Sequence, residues 1–278
     1  MDTLVEYAGP AQAGGPFARL TLNSPHNRNA LSTALVSQLH KGLRDAEADP
    51  AVRAVVLGHT GGTFCAGADL SEAGGGDPRG DREGGAAGRS GSPPSAFDMA
   101  AARARELTAL LRAIVESPLP VIAAINGHVR AGGFGLVGAC DIAVAGPRST
   151  FALTEARIGV APAIISLTLL PKMSSRAAAR YYLTGETFDA GEAAEIGLIT
   201  MAADDVDAAV AKVVADVSRG SPQGLAASKA LTTAAVLEGF DRDAERLSEE
   251  SARLFVSDEA REGMLAFLQK RPPRWANV

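Results

Sequence analysis

The chain has 278 residues, of which 46% are hydrophobic and 21% are charged, a composition typical of a folded globular protein and not of a disordered one. Its 27 basic residues against 32 acidic residues give a net charge of −5, which gives no support for a nucleic-acid partner or a polybasic membrane surface. Glycine is abundant, with 30 residues, and indicates long loops or close approach of the backbone to a ligand.

The start of the chain and its cysteines favour a cytoplasmic location. Residues 1–6 are acidic and lack an apolar stretch, so they predict no secretory signal. Cys65 and Cys140 do not make a disulfide framework, which fits a reducing compartment. The four histidines lack metal-ligand spacing, and we therefore expect no metal site.

Predicted strands and helices alternate in the first half of the chain. Apolar runs predict strands at residues 17–22, 52–57, 121–125 and 142–145. Ser32 is expected to cap a helix with an apolar stripe at Leu31, Leu35, Leu39 and Leu43. Another helix is expected to begin near Asp98. The alternation predicts an α/β fold with a mainly parallel sheet, followed from about Ile164 by helices.

Residues 71–95 are rich in glycine, serine and proline. This composition predicts a mobile surface loop.

A G-x-G-x-x-G pattern at 133–138, with Glu155 downstream, raises the possibility of a dinucleotide-binding oxidoreductase. In that fold the glycines follow the strand directly, yet seven residues separate Ile125 from Gly133. The next predicted strand begins at Ile142, which leaves no room for the expected helix. The pattern is therefore weak support for nucleotide binding.

Several segments, in the same order over nearly the whole chain, resemble the crotonase (enoyl-CoA hydratase/isomerase) superfamily. The matching segments are residues 25–31, 64–70, 124–127, 131–133, 140–142, 151–159 and 262–272. The resemblance implies an α/β, crotonase-like ββα spiral core over residues 1–200 and a helical C-terminal trimerisation region over 201–278. It also implies a homotrimer, or a hexamer built as a dimer of trimers.

The resemblance implies a site that stabilises an enolate. Negative charge on a thioester oxygen can be stabilised by two backbone N–H groups, and the resemblance assigns these to Ala68 and Gly132. A helix that begins at Gly132 would add its positive dipole end. The alternative is that both segments are only tight turns packed against the sheet.

The same resemblance implies an acyl-CoA substrate, with coenzyme A as part of the substrate and no separate cofactor. The implied substrate-binding residues are Arg28, Ala30, Ala66, Asp69, Leu70, Gly133, Gly135, Thr154 and Ala163. Alternatively, Arg28 is only a solvated charge on the surface. Lys229 or Lys270 could reach a CoA phosphate, although a solvated helix face is the favoured interpretation for both. Asp141 is expected to have a structural role.

Hydratases of this superfamily typically use two glutamates, and this chain keeps one. Glu155 matches the position that exchanges a proton with the substrate α-carbon, and an apolar pocket there would raise its pKa. Its alternative role is an ion pair with Arg157. The other position corresponds to Gly135, which has no side chain to offer.

The overall pattern is most similar to methylglutaconyl-CoA-type hydratases. It predicts addition of water to the conjugated double bond of an enoyl-CoA, with an enoyl-CoA isomerase that uses a single glutamate as the alternative. A non-catalytic acyl-CoA-binding protein is a further alternative. Arg130 is a candidate partner for a carboxylate at the distal end of the substrate, with a surface or interface role as its alternative.

Overall fold

A computed structural model of the chain describes residues 2–69, 72 and 94–276. Leu70 and most of the predicted loop 71–95 lie outside the described residues. The strands are β1 (Val5–Ala8), β2 (Phe17–Leu22), β3 (Ala54–His59), β4 (Thr63–Cys65), β5 (Val121–Ile125), β6 (His128–Arg130), β7 (Ile142–Ala145), β8 (Thr150–Ala152), β9 (Phe188–Asp189) and β10 (Met201–Ala202). The α-helices are α1 (Pro10–Ala13), α2 (Thr33–Ala48), α3 (Ala96–Glu116), α4 (Gly132–Ala139), α5 (Ser166–Leu169), α6 (Ser175–Thr184), α7 (Ala190–Glu195), α8 (Val206–Val217), α9 (Pro222–Phe255) and α10 (Asp258–Leu268).

The strands form two sheets that the chain visits in turn. The larger sheet has the order β1-β2-β3-β5-β7-β10 and is parallel except for β1. The smaller sheet has the order β4-β6-β8-β9 and is parallel except for β9. Three times, a strand of the larger sheet is followed within a few residues by a strand of the smaller one: β3 by β4, β5 by β6, and β7 by β8. This repeated path is a ββα spiral and confirms the predicted fold class.

Burial explains why these segments are strands. The side chains of β5 are all buried and those of β3 nearly all, so both read as continuous apolar runs, whereas β2 alternates between buried and half-buried positions. The strands predicted at 17–22, 121–125 and 142–145 are confirmed. The strand predicted at 52–57 begins at Ala54 instead, because Val52 closes a turn by donating its N–H to the Asp49 carbonyl at 3.0 Å.

Two helix starts follow from side-chain caps. Ser32 caps α2 by accepting a hydrogen bond from the Leu35 N–H at 3.2 Å, as predicted. Leu31 lies before the helix and is not part of its apolar stripe. Helix α3 begins at Ala96, two residues before the expected position, because Ser95 and Asp98 form a reciprocal capping box.

The glycine pattern lies inside helix α4, so the expectation that no helix fits before β7 is wrong. An eight-residue helix completes the parallel connection from β5 to β7. Its glycines allow close packing. A Cβ on Gly133 would lie 2.8 Å from the Cys65 carbonyl oxygen, and one on Gly138 would lie 2.9 Å from the Thr168 Oγ1. The pattern therefore serves helix packing in this fold.

The long C-terminal helix α9 packs along α3. Two ion pairs join them: Arg105 to Glu245 at 2.5 Å and Arg112 to Asp241 at 2.6 Å. None of the described helices is long and apolar enough to cross a membrane. The division of the chain near residue 200 stays a prediction.

Lys229 on α9 is buried and holds this helix to the core. Its Nζ lies 2.8 Å from the Asp141 Oδ2 and donates to the carbonyls of Ile114 and Leu119 at 2.8 and 3.0 Å. Asp141 also accepts the Val121 N–H at 2.7 Å, which confirms its structural role. Both roles proposed for Lys229, a CoA-phosphate ligand and a solvated charge, are wrong, because its ammonium group is fully engaged inside the protein.

Replacing Lys229 by methionine is expected to lower the free energy of unfolding by about 3–5 kcal/mol, because Asp141 would be left as an unpaired charge in the interior. Urea denaturation followed by circular dichroism measures this change. Lys212, exposed on α8, provides the matched control, and Lys212→Met should shift the midpoint very little. Equal midpoints for the two variants would contradict the structural role of Lys229.

Candidate active site

Three segments singled out by the sequence follow the carboxyl ends of three neighbouring parallel strands. Residues 66–68 follow β4, residues 131–132 follow β6, and residues 154–155 follow β8 after one further residue. Cys65 of β4 is in register with Val129 of β6, and Arg130 of β6 with Ala152 of β8. Because parallel strands end at the same edge of a sheet, this arrangement gathers the three segments at one edge.

Hydrogen bonds hold the segment before α2 to the loop that follows β4. The Leu31 N–H donates to the Gly67 carbonyl at 2.7 Å, and the Asp69 N–H donates to the Leu31 carbonyl at 3.4 Å. The Asn27 Nδ2 donates to the Asp69 Oδ2 at 2.7 Å. This network fixes the backbone on both sides of Ala68.

Asn29 supports the same loop from inside. Its side chain is fully buried, and its Oδ1 accepts the Ser24 N–H at 2.7 Å. Its Nδ2 donates to the carbonyls of Thr60 and Thr63 at 3.0 and 2.7 Å. Asn29 also has a φ of 53°, a left-handed conformation that asparagine tolerates better than most residues.

The Ala68 and Gly132 backbones meet across a very tight contact. A Cβ on Gly132 would lie 3.7 Å from the Ala68 nitrogen, and one on Gly67 would lie 2.5 Å from the Ala131 Cβ and 3.1 Å from the Gly132 nitrogen. Gly67 has a φ of +94° and Ala131 a φ of 44°, so both corners use a backbone conformation that L side chains rarely adopt. The absence of a side chain on Gly67 is what permits the approach.

The N–H groups of Ala68 and Gly132 are candidate donors to a ligand. No described residue accepts a backbone hydrogen bond from either group. Gly132 is the first residue of α4, so its N–H has no partner within the helix and carries the positive end of the helix dipole. Two such donors side by side can stabilise an oxyanion.

Glu155 is a buried carboxylic acid with an unused oxygen. Its residue is only 7% exposed, and its Oε2 has no hydrogen-bond partner among the described residues. Burial raises the pKa of Glu155 to about 7, with its own backbone N–H as a smaller opposing influence. The Arg157 guanidinium instead donates to the Thr184 carbonyl at 3.1 and 2.8 Å. The ion pair between Glu155 and Arg157 is therefore wrong, and Glu155 is suited to acid–base chemistry near neutral pH.

Gly135 is enclosed by apolar side chains. A Cβ there would lie 2.7 Å from the Ile165 Cγ2 and 3.0 Å from the Leu111 Cδ1. Its carbonyl accepts a hydrogen bond from the Thr168 Oγ1 at 3.2 Å. A longer side chain at this position would have to displace Ile165 and Leu111. These apolar side chains therefore occupy the space where the resemblance places the second glutamate.

The remaining predicted substrate residues differ in their surroundings. Arg28 is exposed, and its carbonyl accepts the Ala66 N–H at 3.1 Å, which ties together the two segments predicted to bind coenzyme A. Ala30 and Ala163 are buried. Thr154 is half-buried and accepts the Arg157 N–H at 3.0 Å. Gly133 faces Cys65 of β4, and Leu70 lies outside the described residues.

Arg130 is anchored to the neighbouring strand. Its Nη1 donates to the carbonyls of Val129 and Thr150, both at 2.7 Å, and its Nη2 donates to the Thr150 Oγ1 at 2.9 Å. Burial lowers the pKa of its guanidinium. No described carboxylate lies within ion-pair distance of it.

Neither cysteine is suited to be a nucleophile. Cys65 and Cys140 are buried, and burial raises the pKa of each thiol to about 12. Within the described residues, no cluster of three or more histidine, cysteine or carboxylate side chains could hold a metal ion.

Sequence reasoning missed three residues at this site. Leu31 was placed on a helix, yet its Cδ1 lies 2.9 Å from where a Gly132 Cβ would be. Tyr182 and Ser166 form a hydrogen bond of 3.1 Å, and the pKa of Tyr182 is raised mainly by burial, with a small contribution from the Glu155 carboxylate. The only available signal was the Asn-Arg-Asn turn before Leu31, since nothing in the local pattern distinguishes Tyr182 from its neighbour Tyr181.

Comparison with known proteins gives a consistent picture. A family model described as "Enoyl-CoA hydratase/isomerase" matches residues 13–89 and 95–277. A crystal structure of an enoyl-CoA hydratase from Mycobacterium avium is 77% identical, with a TM-score of 0.87, covering 99% of this chain and 100% of that chain. An enoyl-CoA hydratase of Mycobacterium tuberculosis is 32% identical over 99% of this chain and 97% of its own length. A mevalonyl-coenzyme A hydratase of Aspergillus fumigatus is 31% identical over 92% of this chain and 90% of its own length.

Proposed function

The chain belongs to the enoyl-CoA hydratase/isomerase family, and from this membership we propose that it adds water across the conjugated double bond of an enoyl-CoA thioester and catalyses the reverse reaction. The observation that carries the proposal is that the N–H groups of Ala68 and Gly132, which have no acceptor among the described residues, lie at the same sheet edge as the buried carboxyl group of Glu155. The two N–H groups would stabilise the enolate oxygen, and the Glu155 carboxyl group would transfer the proton.

In the proposed mechanism Glu155 starts and ends as a carboxylate. The water oxygen forms a bond to the β-carbon while Glu155 takes the proton that the water releases, and the electrons of the double bond move to the thioester oxygen. The Ala68 and Gly132 N–H groups stabilise the resulting enolate. Glu155 then gives its proton to the α-carbon. One carboxyl group thus performs both transfers, which the apolar packing around Gly135 requires.

For the rest of the substrate, we propose that coenzyme A lies along the loops that contain Arg28, Ala30, Ala66 and Asp69. The hydrogen-bonded connection between these two loops supports this placement. Coenzyme A is part of the substrate, and the proposed steps use only water, the Glu155 carboxyl group and two backbone N–H groups, so they involve no metal, redox nucleotide or prosthetic group.

For the acyl group we propose a branched chain of the glutaconyl type. The support is the half-buried Arg130, which has no carboxylate partner among the described residues and could pair with a distal carboxylate. Three of its donor contacts are already used within the protein, so the proposal depends on the remaining N–H groups. Arg130→Ala should reduce the preference for 3-methylglutaconyl-CoA over crotonyl-CoA. An unchanged preference would remove this part of the proposal.

An enoyl-CoA isomerase is the second candidate, because a single carboxylate suffices to move a proton between two carbons. Loss of the conjugated thioester absorbance of crotonyl-CoA and 3-methylglutaconyl-CoA tests hydration, beside an assay with a 3-enoyl-CoA. Fast conversion of the 3-enoyl ester without hydration of either conjugated ester would establish isomerisation instead.

We further propose a homotrimer or a hexamer, assembled through the helical C-terminal region, in the cytoplasm. Helix α10 and the residues after it expose apolar side chains, including Leu265, Phe267, Leu268 and Trp275, which supports an interface with another copy. The free thiols of Cys65 and Cys140 support a reducing compartment. Light scattering after size-exclusion chromatography would test the assembly, and a monomer would exclude it.

Activity is expected to rise with pH through about 7, because the proposed cycle begins with ionised Glu155 and burial raises its pKa to about 7. The measurement is kcat/KM for crotonyl-CoA between pH 5 and pH 9. Activity that falls as the pH rises through 7 would contradict the assignment, since it would require the protonated acid in the free enzyme.

A further inference from the structure

The apolar packing around Gly135 leaves the proposed reaction with an incomplete water site. A water whose oxygen attacks carbon is best oriented when both of its protons are accepted, so that a lone pair faces the electrophile. Glu155 can accept one proton. Gly135 has no side chain that could accept the second proton, and its described neighbours Ile165 and Leu111 are apolar. A different group therefore has to accept that proton.

Two hydroxyl groups belong to helices that pack near this position: Ser166 begins α5, which packs on α4, the helix that contains Gly135. Ser166 directly follows Ile165, whose Cγ2 packs against Gly135, and its Oγ lies 3.1 Å from the Tyr182 hydroxyl. Tyr182 is on α6, and α6 packs against the 3-10 helix that begins with Glu155. The Ser166–Tyr182 hydrogen bond thus links α5, which packs on the helix that contains Gly135, to α6, which packs on the element that carries Glu155.

The direction of the hydrogen bonds leaves the tyrosine oxygen free to accept. The Ser166 Oγ donates its proton to the Pro162 carbonyl at 2.7 Å, so it accepts from the Tyr182 hydroxyl. The lone pairs of the Tyr182 oxygen remain available. Burial raises the pKa of Tyr182 to about 12, the hydrogen bond with Ser166 opposes this shift, and the charge of Glu155 adds a smaller increase, so this phenol stays neutral during the reaction.

We propose that the Tyr182 hydroxyl oxygen accepts a hydrogen bond from the attacking water, in the role left vacant at Gly135, and that Ser166 is a positioning residue that orients this hydroxyl. This inference rests on the proposed hydratase function. In the step itself, one water proton passes to Glu155, the other stays on the oxygen bound to the β-carbon, and Tyr182 neither gains nor loses a proton.

The test separates water positioning from the proton transfer to carbon. Tyr182→Phe removes only the hydroxyl group, and we expect kcat for crotonyl-CoA hydration to fall roughly 100-fold. Exchange of the α-protons of butyryl-CoA in D2O, followed by mass spectrometry, needs Glu155 and the two N–H groups but no attacking water. It should stay within about twofold of the wild-type rate, because Glu155 itself is intact.

Two further variants complete the test. Ser166→Ala should lower hydration while sparing exchange, in the same direction as Tyr182→Phe but by a smaller factor. Tyr181→Phe is the matched control. The Tyr181 hydroxyl donates to Glu192 at 2.5 Å and takes no part in the Ser166–Tyr182 hydrogen bond, so this variant should leave both rates unchanged.

Equal losses of hydration and exchange in Tyr182→Phe would overturn the inference and indicate a merely structural role. Unchanged hydration in that variant would also overturn it while leaving the hydratase function intact. A wild-type protein that exchanges α-protons but hydrates no enoyl-CoA would refute the hydratase function itself, and the water-binding role with it.

Discussion

Glu155→Gln is expected to lower kcat for crotonyl-CoA hydration by about 10³-fold, because the amide can neither take a proton from water nor deliver one to carbon. The substitution preserves the shape of the side chain in its buried pocket, so the fold should be retained. Exchange of the α-protons of butyryl-CoA should fall in parallel, which distinguishes this variant from Tyr182→Phe. The KM should change little, since the variant leaves both oxyanion N–H groups in place.

Glu195→Gln gives a matched control for that experiment. Glu195 is exposed at the end of α7, so the same chemical change there should leave kcat within about twofold of wild type, as is usual for surface substitutions. If Glu155→Gln retained full activity, Glu155 could not be the proton-transfer group, whichever of the two candidate reactions the enzyme catalyses.

Gly67→Ala is expected to lower kcat by about 10²- to 10³-fold, a loss comparable to removal of one oxyanion donor. The new Cβ would lie 2.5 Å from the Ala131 Cβ, and the φ of +94° would itself be strained with a side chain present. Relief of this clash must move Ala68, Gly132 or both, and it therefore disturbs the two N–H groups together. Steady-state kinetics with crotonyl-CoA measures the effect.

Gly62→Ala is the control for the glycine-to-alanine change, because Gly62 lies just before β4 and Gly67 lies just after it. A Cβ on Gly62 meets no atom within 4 Å, so kcat and thermal stability should stay close to wild type. Thermal unfolding of Gly67→Ala should show a lowered Tm but a cooperative transition. Wild-type kcat in Gly67→Ala would mean that the Ala68 and Gly132 N–H groups do not act on the substrate oxygen.

Ala131 also shapes the tight contact between the Ala68 and Gly132 backbones. It adopts a φ of 44°. Its methyl group packs against the bare backbone of Gly67. The two positions are thus coupled, and we attribute the constraint on Gly67 partly to the side chain of Ala131.

The sequence alone determined four strands of the larger sheet, apart from the first residues of β3, together with the cap of α2 and the glutamate that the structure buries. Apolar runs identify strands such as 121–125 because a strand covered on both faces has no polar side, and the Ser32 cap depends only on atoms three residues apart. These are local properties, and local patterns report them well.

Only the tertiary structure decided what surrounds Gly135, Lys229 and Arg130. A glycine in a sequence does not say whether its missing side chain leaves a space, and here Ile165 and Leu111 fill it. The burial of Lys229 likewise depends on how α9 packs on the core, which brings its ammonium group to Asp141. Such contacts join residues that are far apart in the chain. Their geometry is set by how whole helices and strands pack, and the periodicity of a single segment gives no information about that packing.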